Sequence, residues 1–118
     1  MTDKSFTIYH NPRCSKSRTT LALLQQHGIE PVVIDYLKDA PGKSDLTSII
    51  RKLGLQPEQI VRKGEQTYKS QFAGKTLNDD QWLDALVENP ILIERPIVVS
   101  GNRAVIGRPP ENVLDLIS

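Results

Sequence analysis

The spacing of apolar and polar residues changes period along the chain. Phe6-Thr7-Ile8-Tyr9 is short, aromatic and β-branched, which predicts a first strand. His10-Asn11-Pro12 breaks it. From Ser15 to His27 the residues favour a helix, with Leu21, Ala22 and Leu24 expected on its buried face and Gly28 as its C-terminal stop. Pro31 to Tyr36 predicts a second strand. A helical connection between two strands suits a right-handed crossover and a parallel pair.

The middle of the chain reads as helical. Ser44 is a candidate cap for a helix that buries Leu46, Ile49, Ile50 and Leu53 and ends at Gly54. Pro57 suits the first position of a short helix through Ile60 and Val61. Asn78 with Gln81 has the spacing of a capping box, and Trp82, Leu83, Leu86 and Val87 form the apolar face behind it. Gly64 to Thr76 is polar, with room for a partly helical excursion.

Towards the end the period returns to that of strands. Pro96 to Ser100 and Arg103 to Ile106 flank Gly101-Asn102, a two-residue hairpin signal. Pro109-Pro110 then opens a final helix carrying Val113, Leu114 and Ile117. The order is βαβ, a helical block, then ββα. The expected fold class is α/β, with a mixed sheet, one antiparallel hairpin and no internal repeat.

Composition narrows the possibilities. At 118 residues the chain fits one domain. A hydrophobic fraction of 38% argues against disorder. The formal charge of +1 gives no field for a polyanionic partner, and 5% aromatic residues leave no stacking surface for nucleic acid. Aliphatic runs such as Val32-Val33-Ile34 and Ile97-Val98-Val99 fall far short of the ~20 apolar residues that cross a membrane. No apolar signal segment precedes the first strand, so the expected location is cytoplasmic.

Cys14 is the single cysteine, which excludes an intramolecular disulfide; with only His10 and His27 beside it, a zinc centre is not expected. Any resolving thiol must come from another molecule. Cys14 lies where the first strand meets the first helix, and a helix N-terminus favours a thiolate through unpaired N–H groups and its dipole. Between Asp3 and Glu30 there is no acidic residue, while Arg13, Lys16 and Arg18 crowd the cysteine. A small buried cysteine acting as core filler is the plainer alternative. Ser15 and Ser17 are expected to support the helix start, with their hydroxyls also in range of the sulfur. His10 is either a hydrogen-bonding group at the strand end or a group that favours the thiolate. Between Glu94 and Glu111 there is no acid, yet Arg95, Arg103 and Arg108 fall there; Arg62 follows the short helix. Arginine offers a planar fork to tetrahedral oxyanions, although most surface arginines are merely solvated.

Other thiol chemistries do not fit. A phosphatase loop needs arginine six positions after the cysteine, where this chain has Thr20. Thioredoxin-type redox centres need two cysteines, whereas the segment here is Cys14-Ser15-Lys16-Ser17. No glycine-rich nucleotide loop occurs.

The stretch from Ile8 to Arg18 closely resembles the cysteine segment of the glutaredoxin-coupled arsenate reductases. Val61-Arg62-Lys63, the stretch from Asn89 to Val99, and Gly107 to Glu111 resemble the other three signature blocks of that family, in the same order. The basic cysteine segment and the short tail resemble the short chromosomal relatives more than the plasmid-type resistance enzymes. The resemblance implies a thioredoxin-like domain over 1–118 with a helical insertion over about 40–93. It implies that Cys14 is the nucleophile, that Arg62, Arg95 and Arg108 hold the arsenate oxygens, and that His10 helps ionise the cysteine. Arg95-Pro96 would be the cis-proline site of that fold. Arsenate is then the substrate, glutathione the co-substrate and glutaredoxin the protein partner, with no bound cofactor. Some relatives instead regulate RNA polymerase without reducing arsenate, so a redox-sensing binding protein, or a reductase of another substrate, is the competing expectation.

Overall fold

The computed structural model describes residues 5–117. They fall into two compact units, 40–94 and the segments on either side of it.

In the flanking segments, β1 (Phe6–His10) lies inside a four-stranded sheet of order β2-β1-β3-β4. β2 (Val32–Asp35) pairs parallel to β1, with Thr7 opposite Val32 and His10 opposite Asp35. β3 (Ile97–Ser100) pairs antiparallel to β1, and β4 (Arg103–Ile106) antiparallel to β3. The parallel pair joined through a helix and the mixed sheet are therefore those predicted. Strand β1 alternates as its sequence does: Phe6, Ile8 and His10 are buried, whereas Thr7 and Tyr9 are partly covered. Gly101 turns the hairpin with φ 60°, a conformation open to glycine; no described non-glycine residue has positive φ, so Asn102 takes the ordinary sign and the turn is of type II′.

Helix α1 (Ser15–Gln26) spans the predicted range, but its buried residues are Ser17, Thr20 and Leu24. Ala22, expected inside, is exposed, and Leu21 is only partly covered. The inward stripe has polar members, so an apolar-only reading rotates the helix away from its true face. Phe6, Ile8, Leu24, Val98, Val113 and Leu116 form the core cluster. After a 3-10 turn (Pro110–Val113), the last helix, α5 (Leu114–Ile117), buries Leu116, while Leu114 stays exposed.

In 40–94, α2 (Lys43–Leu53) starts one residue before Ser44, so Gly42 and not Ser44 is its N-cap, with the Asp45 carboxylate accepting from the Gly42 N–H. Leu46, Ile49 and Ile50 are buried as predicted. Pro57–Ile60 is a 3-10 turn, and the polar stretch contains a short helix, α3 (Gln66–Gln71). Helix α4 (Asp79–Glu88) begins with the predicted capping box: Asn78 Oδ1 accepts from the Gln81 N–H and Gln81 Oε1 from the Asn78 N–H. Trp82, on α4, is buried and stacks on Tyr68 at 6.4 Å between ring centroids. Among the described residues no helix is long and apolar enough to cross a membrane.

Candidate active site

Cys14 is the N-cap residue of α1, with extended backbone (φ −95°, ψ 122°). Its N–H donates to the Asn11 carbonyl and its own carbonyl accepts from the Arg18 N–H, both at 3.0 Å. The loop from Asn11 to Cys14 is fixed by short-range bonds: Asn11 Oδ1 accepts from the Arg13 N–H at 3.0 Å, and Arg18 Nη1 donates to the Pro12 carbonyl at 2.9 Å. The thiol is half-buried, and no acidic residue occupies the first turn of the helix. The Cys14 side chain makes no cap hydrogen bond, so the helix end acts on the sulfur through its dipole, with no carboxylate in the first turn to oppose it.

Arg108 meets that sulfur from the other end of the sequence. Its Nη2 lies 3.5 Å from Cys14 Sγ, and its Nε donates to the Arg95 carbonyl at 2.7 Å. One guanidinium thus joins Cys14, Arg95 and Arg108 in a fixed relation. Asn112 supports it: Asn112 Nδ2 donates to the carbonyls of Arg108, at 3.0 Å, and Ile106, at 3.1 Å. The Arg95–Pro96 peptide is cis, as the resemblance implied, and so is Arg108–Pro109, which was not anticipated.

Ser15 and Ser17 have different places from those expected, whereas His10 is a hydrogen-bonding group at the strand end, one of its two expected roles. Neither serine caps the helix: Cys14 is at the N-cap position without a side-chain cap, Ser15 is exposed, and Ser17 is fully buried. Ser17 Oγ accepts from the Asn11 N–H at 3.0 Å and lies 2.6 Å from His10 Nδ1. A hydroxyl that accepts from Asn11 has its own proton for His10, which leaves Nδ1 as acceptor and the ring neutral. Burial pushes the His10 pKa below its ordinary 6.5, opposed by Asp35 and reinforced by Arg18. His10 thereby anchors the loop that carries Cys14, through Ser17 and Asn11.

Arg62 belongs to 40–94. There its Nη1 pairs with Glu65 at 3.2 Å and its Nε with Glu94 at 3.6 Å, and its backbone N–H donates to the Leu92 carbonyl. Two carboxylates hold its fork, a restraint that composition did not reveal.

Sequence reasoning missed Thr20, Gly107 and Asn112. A Cβ on Gly107 would stand 2.6 Å from Thr20 Oγ1 and 2.9 Å from Pro96 Cγ, so this glycine is needed for close approach. The spacing of Ser17, Thr20 and Leu24 at i, i+3 and i+7 was the available signal for the first of these, had hydroxyls been counted as possible inward residues.

A model of the ArsC family matches residues 9–116. The arsenate reductase of Haemophilus influenzae is 45% identical over 115 residues, 96% of this chain and 99% of that protein. Uncharacterized protein YfgD of Escherichia coli (strain K12) is 44% identical over 116 residues, 97% and 98% of the two chains. Among solved structures, the arsenate reductase from Vibrio cholerae is 47% identical, covers 97% of this chain and 98% of its own, and superposes with a TM-score of 0.92. With a family match over nearly its full length and relatives of equal extent, this chain belongs to the ArsC family.

Proposed function

We propose that the protein is an arsenate reductase in which Cys14 attacks arsenic and an external thiol completes the reduction. The observation that carries this reading is the Arg108 guanidinium set between the Cys14 sulfur and the Arg95 carbonyl. A tetrahedral oxyanion at that fork meets the nucleophile and its charge partner together. Each charge-assisted arginine contact contributes roughly 1.5–3 kcal/mol to holding the anion. Arg62 joins the reading on the family resemblance.

In the first step the Cys14 thiolate forms a sulfur–arsenic bond and a protonated arsenate oxygen leaves as water. Glutathione, as thiolate, then attacks the Cys14 sulfur. A disulfide forms, the electron pair of the sulfur–arsenic bond stays on arsenic, and arsenic(V) leaves as arsenic(III) in arsenite. Glutaredoxin takes the glutathionyl group and returns Cys14 to the thiol. The chain has one cysteine and must borrow the second electron donor. A glutathione-dependent reaction belongs to a reducing compartment such as the cytoplasm.

The test is arsenate-dependent NADPH oxidation with purified protein, glutathione, glutaredoxin and glutathione reductase, alongside Cys14→Ser. Turnover requiring both arsenate and Cys14 is the expected result. Turnover driven by thioredoxin and its reductase in place of the glutathione system overturns the choice of thiol; no turnover from folded protein overturns the substrate.

A further inference from the structure

Beside the cysteine loop lies an open cleft of about 280 Å³, lined by Asn11, Pro12, Arg13, Asp35, Leu37 and Lys38. It is built at the carboxyl ends of the parallel pair β1 and β2, where His10 stands opposite Asp35. That edge of an α/β sheet is the usual place for a ligand, because the loops leaving parallel strands diverge there. Both walls are held by their own turns. Asn11 Oδ1 accepts from the Arg13 N–H, and Asp35 Oδ1 accepts from the Leu37 N–H at 3.3 Å.

The charges lining the cleft are of both signs. Arg13 and Lys38 are exposed cations, and Asp35, partly buried, belongs to the same lining. Elsewhere Lys43 is held by Asp80 and Asp84, Lys63 by Glu58, and Arg62 by Glu65 and Glu94. Among the described residues, no carboxylate engages Arg13 or Lys38 in an ion pair. Two uncommitted cations and a carboxylate suit a small zwitterion with two acidic groups and one ammonium. One wall, Asn11 to Arg13, directly precedes Cys14 in the chain, so the cleft borders the loop that carries the sulfur.

We propose that this cleft is the subsite for the external thiol, a small zwitterionic thiol peptide whose carboxylates meet Arg13 and Lys38 and whose ammonium meets Asp35. The inference rests on the external-thiol part of the functional reading and gives that thiol a place to bind. Arg13 and Lys38 are binding residues for the co-substrate. They are separate from Arg108, whose guanidinium meets the Cys14 sulfur and does not line the cleft.

The experiment follows mixed-disulfide formation at Cys14 by intact-protein mass, using glutathione disulfide and, in parallel, the uncharged bis(2-hydroxyethyl) disulfide. In each exchange the Cys14 thiolate forms a bond to one sulfur of the probe and the other sulfur leaves as a thiolate. Dividing the first rate by the second removes any change in the reactivity of the thiol itself. Lys38→Ala is expected to lower the ratio about two- to fivefold, the range for an exposed charge contact, and Lys38→Glu to lower it further. Salt at ~1 M is expected to erase most of the preference. Lys16→Ala is the control for the general basic field, since Lys16 lies near Cys14 but outside the cleft. A ratio that Lys38→Ala leaves unchanged, or lowers no more than Lys16→Ala does, overturns the subsite. Arsenate takes no part in this exchange, so a failed reductase reading shows separately, as absent arsenate turnover.

Discussion

Arg108 Nη2 stands 3.5 Å from Cys14 Sγ, although the two residues are 94 positions apart in sequence. The contact couples the loop after β1 to the loop after β4. Its Nε bond to the Arg95 carbonyl fixes the plane of the guanidinium, so the fork arrives at the sulfur already oriented. The binding and reacting groups therefore need little rearrangement when an anion enters.

Cys14→Ser tests the nucleophile. Serine is nearly isosteric and the site is half-buried, so stability should change by about 0.5 kcal/mol or less. Arsenate turnover should vanish. Thermal unfolding and the coupled NADPH assay, run on the same preparation, check both halves; full turnover in the variant removes Cys14 from the mechanism.

Arg108→Lys tests the fork more sharply than alanine does. Lysine keeps the charge but has no planar array to reach the Arg95 carbonyl and the sulfur together. Losing roughly 1.5–3 kcal/mol of charge-assisted bonding should lower kcat/KM for arsenate by about 10- to 100-fold. Steady-state kinetics decide it. A variant with wild-type kcat/KM shows that charge alone suffices there.

The strand and helix order was legible because the local signals agreed: alternation in β1, Gly101-Asn102 in the hairpin, Asn78 with Gln81 at the start of α4. Cys14, Arg95 and Arg108 were legible as residue types in two acid-free stretches, and Arg62 only through the family resemblance. Their supports were not. Ser17 looked like a cap because hydroxyl residues at a helix start usually are caps, and only the tertiary position of His10 turns it inward. Asn112 carries no local signal in the sequence, and its bonds to Ile106 and Arg108 exist only once β4 has returned. Polar groups buried by long-range pairing leave no trace in a pattern read from apolar residues alone.

Gly107→Ala should destabilise the fold without touching the chemistry directly. The added methyl meets Thr20 Oγ1 at 2.6 Å and Pro96 Cγ at 2.9 Å, and crowding of this kind costs about 1–3 kcal/mol. Thr20→Ala removes one of the two obstacles, so the double variant should recover part of the loss. Urea unfolding of the four proteins in the cycle measures the coupling. Simple additivity would show that Thr20 is not what the methyl strikes.

His10 gives stability a pH dependence of known sign. Burial holds its folded pKa below 6.5, so just under that pH the unfolded chain binds a proton that the folded chain refuses. The stability tied to the neutral ring is present above 6.5 and is lost as pH falls through the folded value. Ser17→Ala leaves the Asn11 N–H without its acceptor and His10 without its donor, a loss of about 1–3 kcal/mol at pH 7.5. His10→Gln also removes the bond but has no proton to take up. Its deficit against the wild type should therefore shrink between pH 7.5 and pH 5.5, as the wild type gives up the stability of its neutral ring. Urea unfolding of both proteins at the two pH values reads the gap directly. A gap that stays constant, or widens towards pH 5.5, would mean that His10 is not held neutral by burial against Ser17.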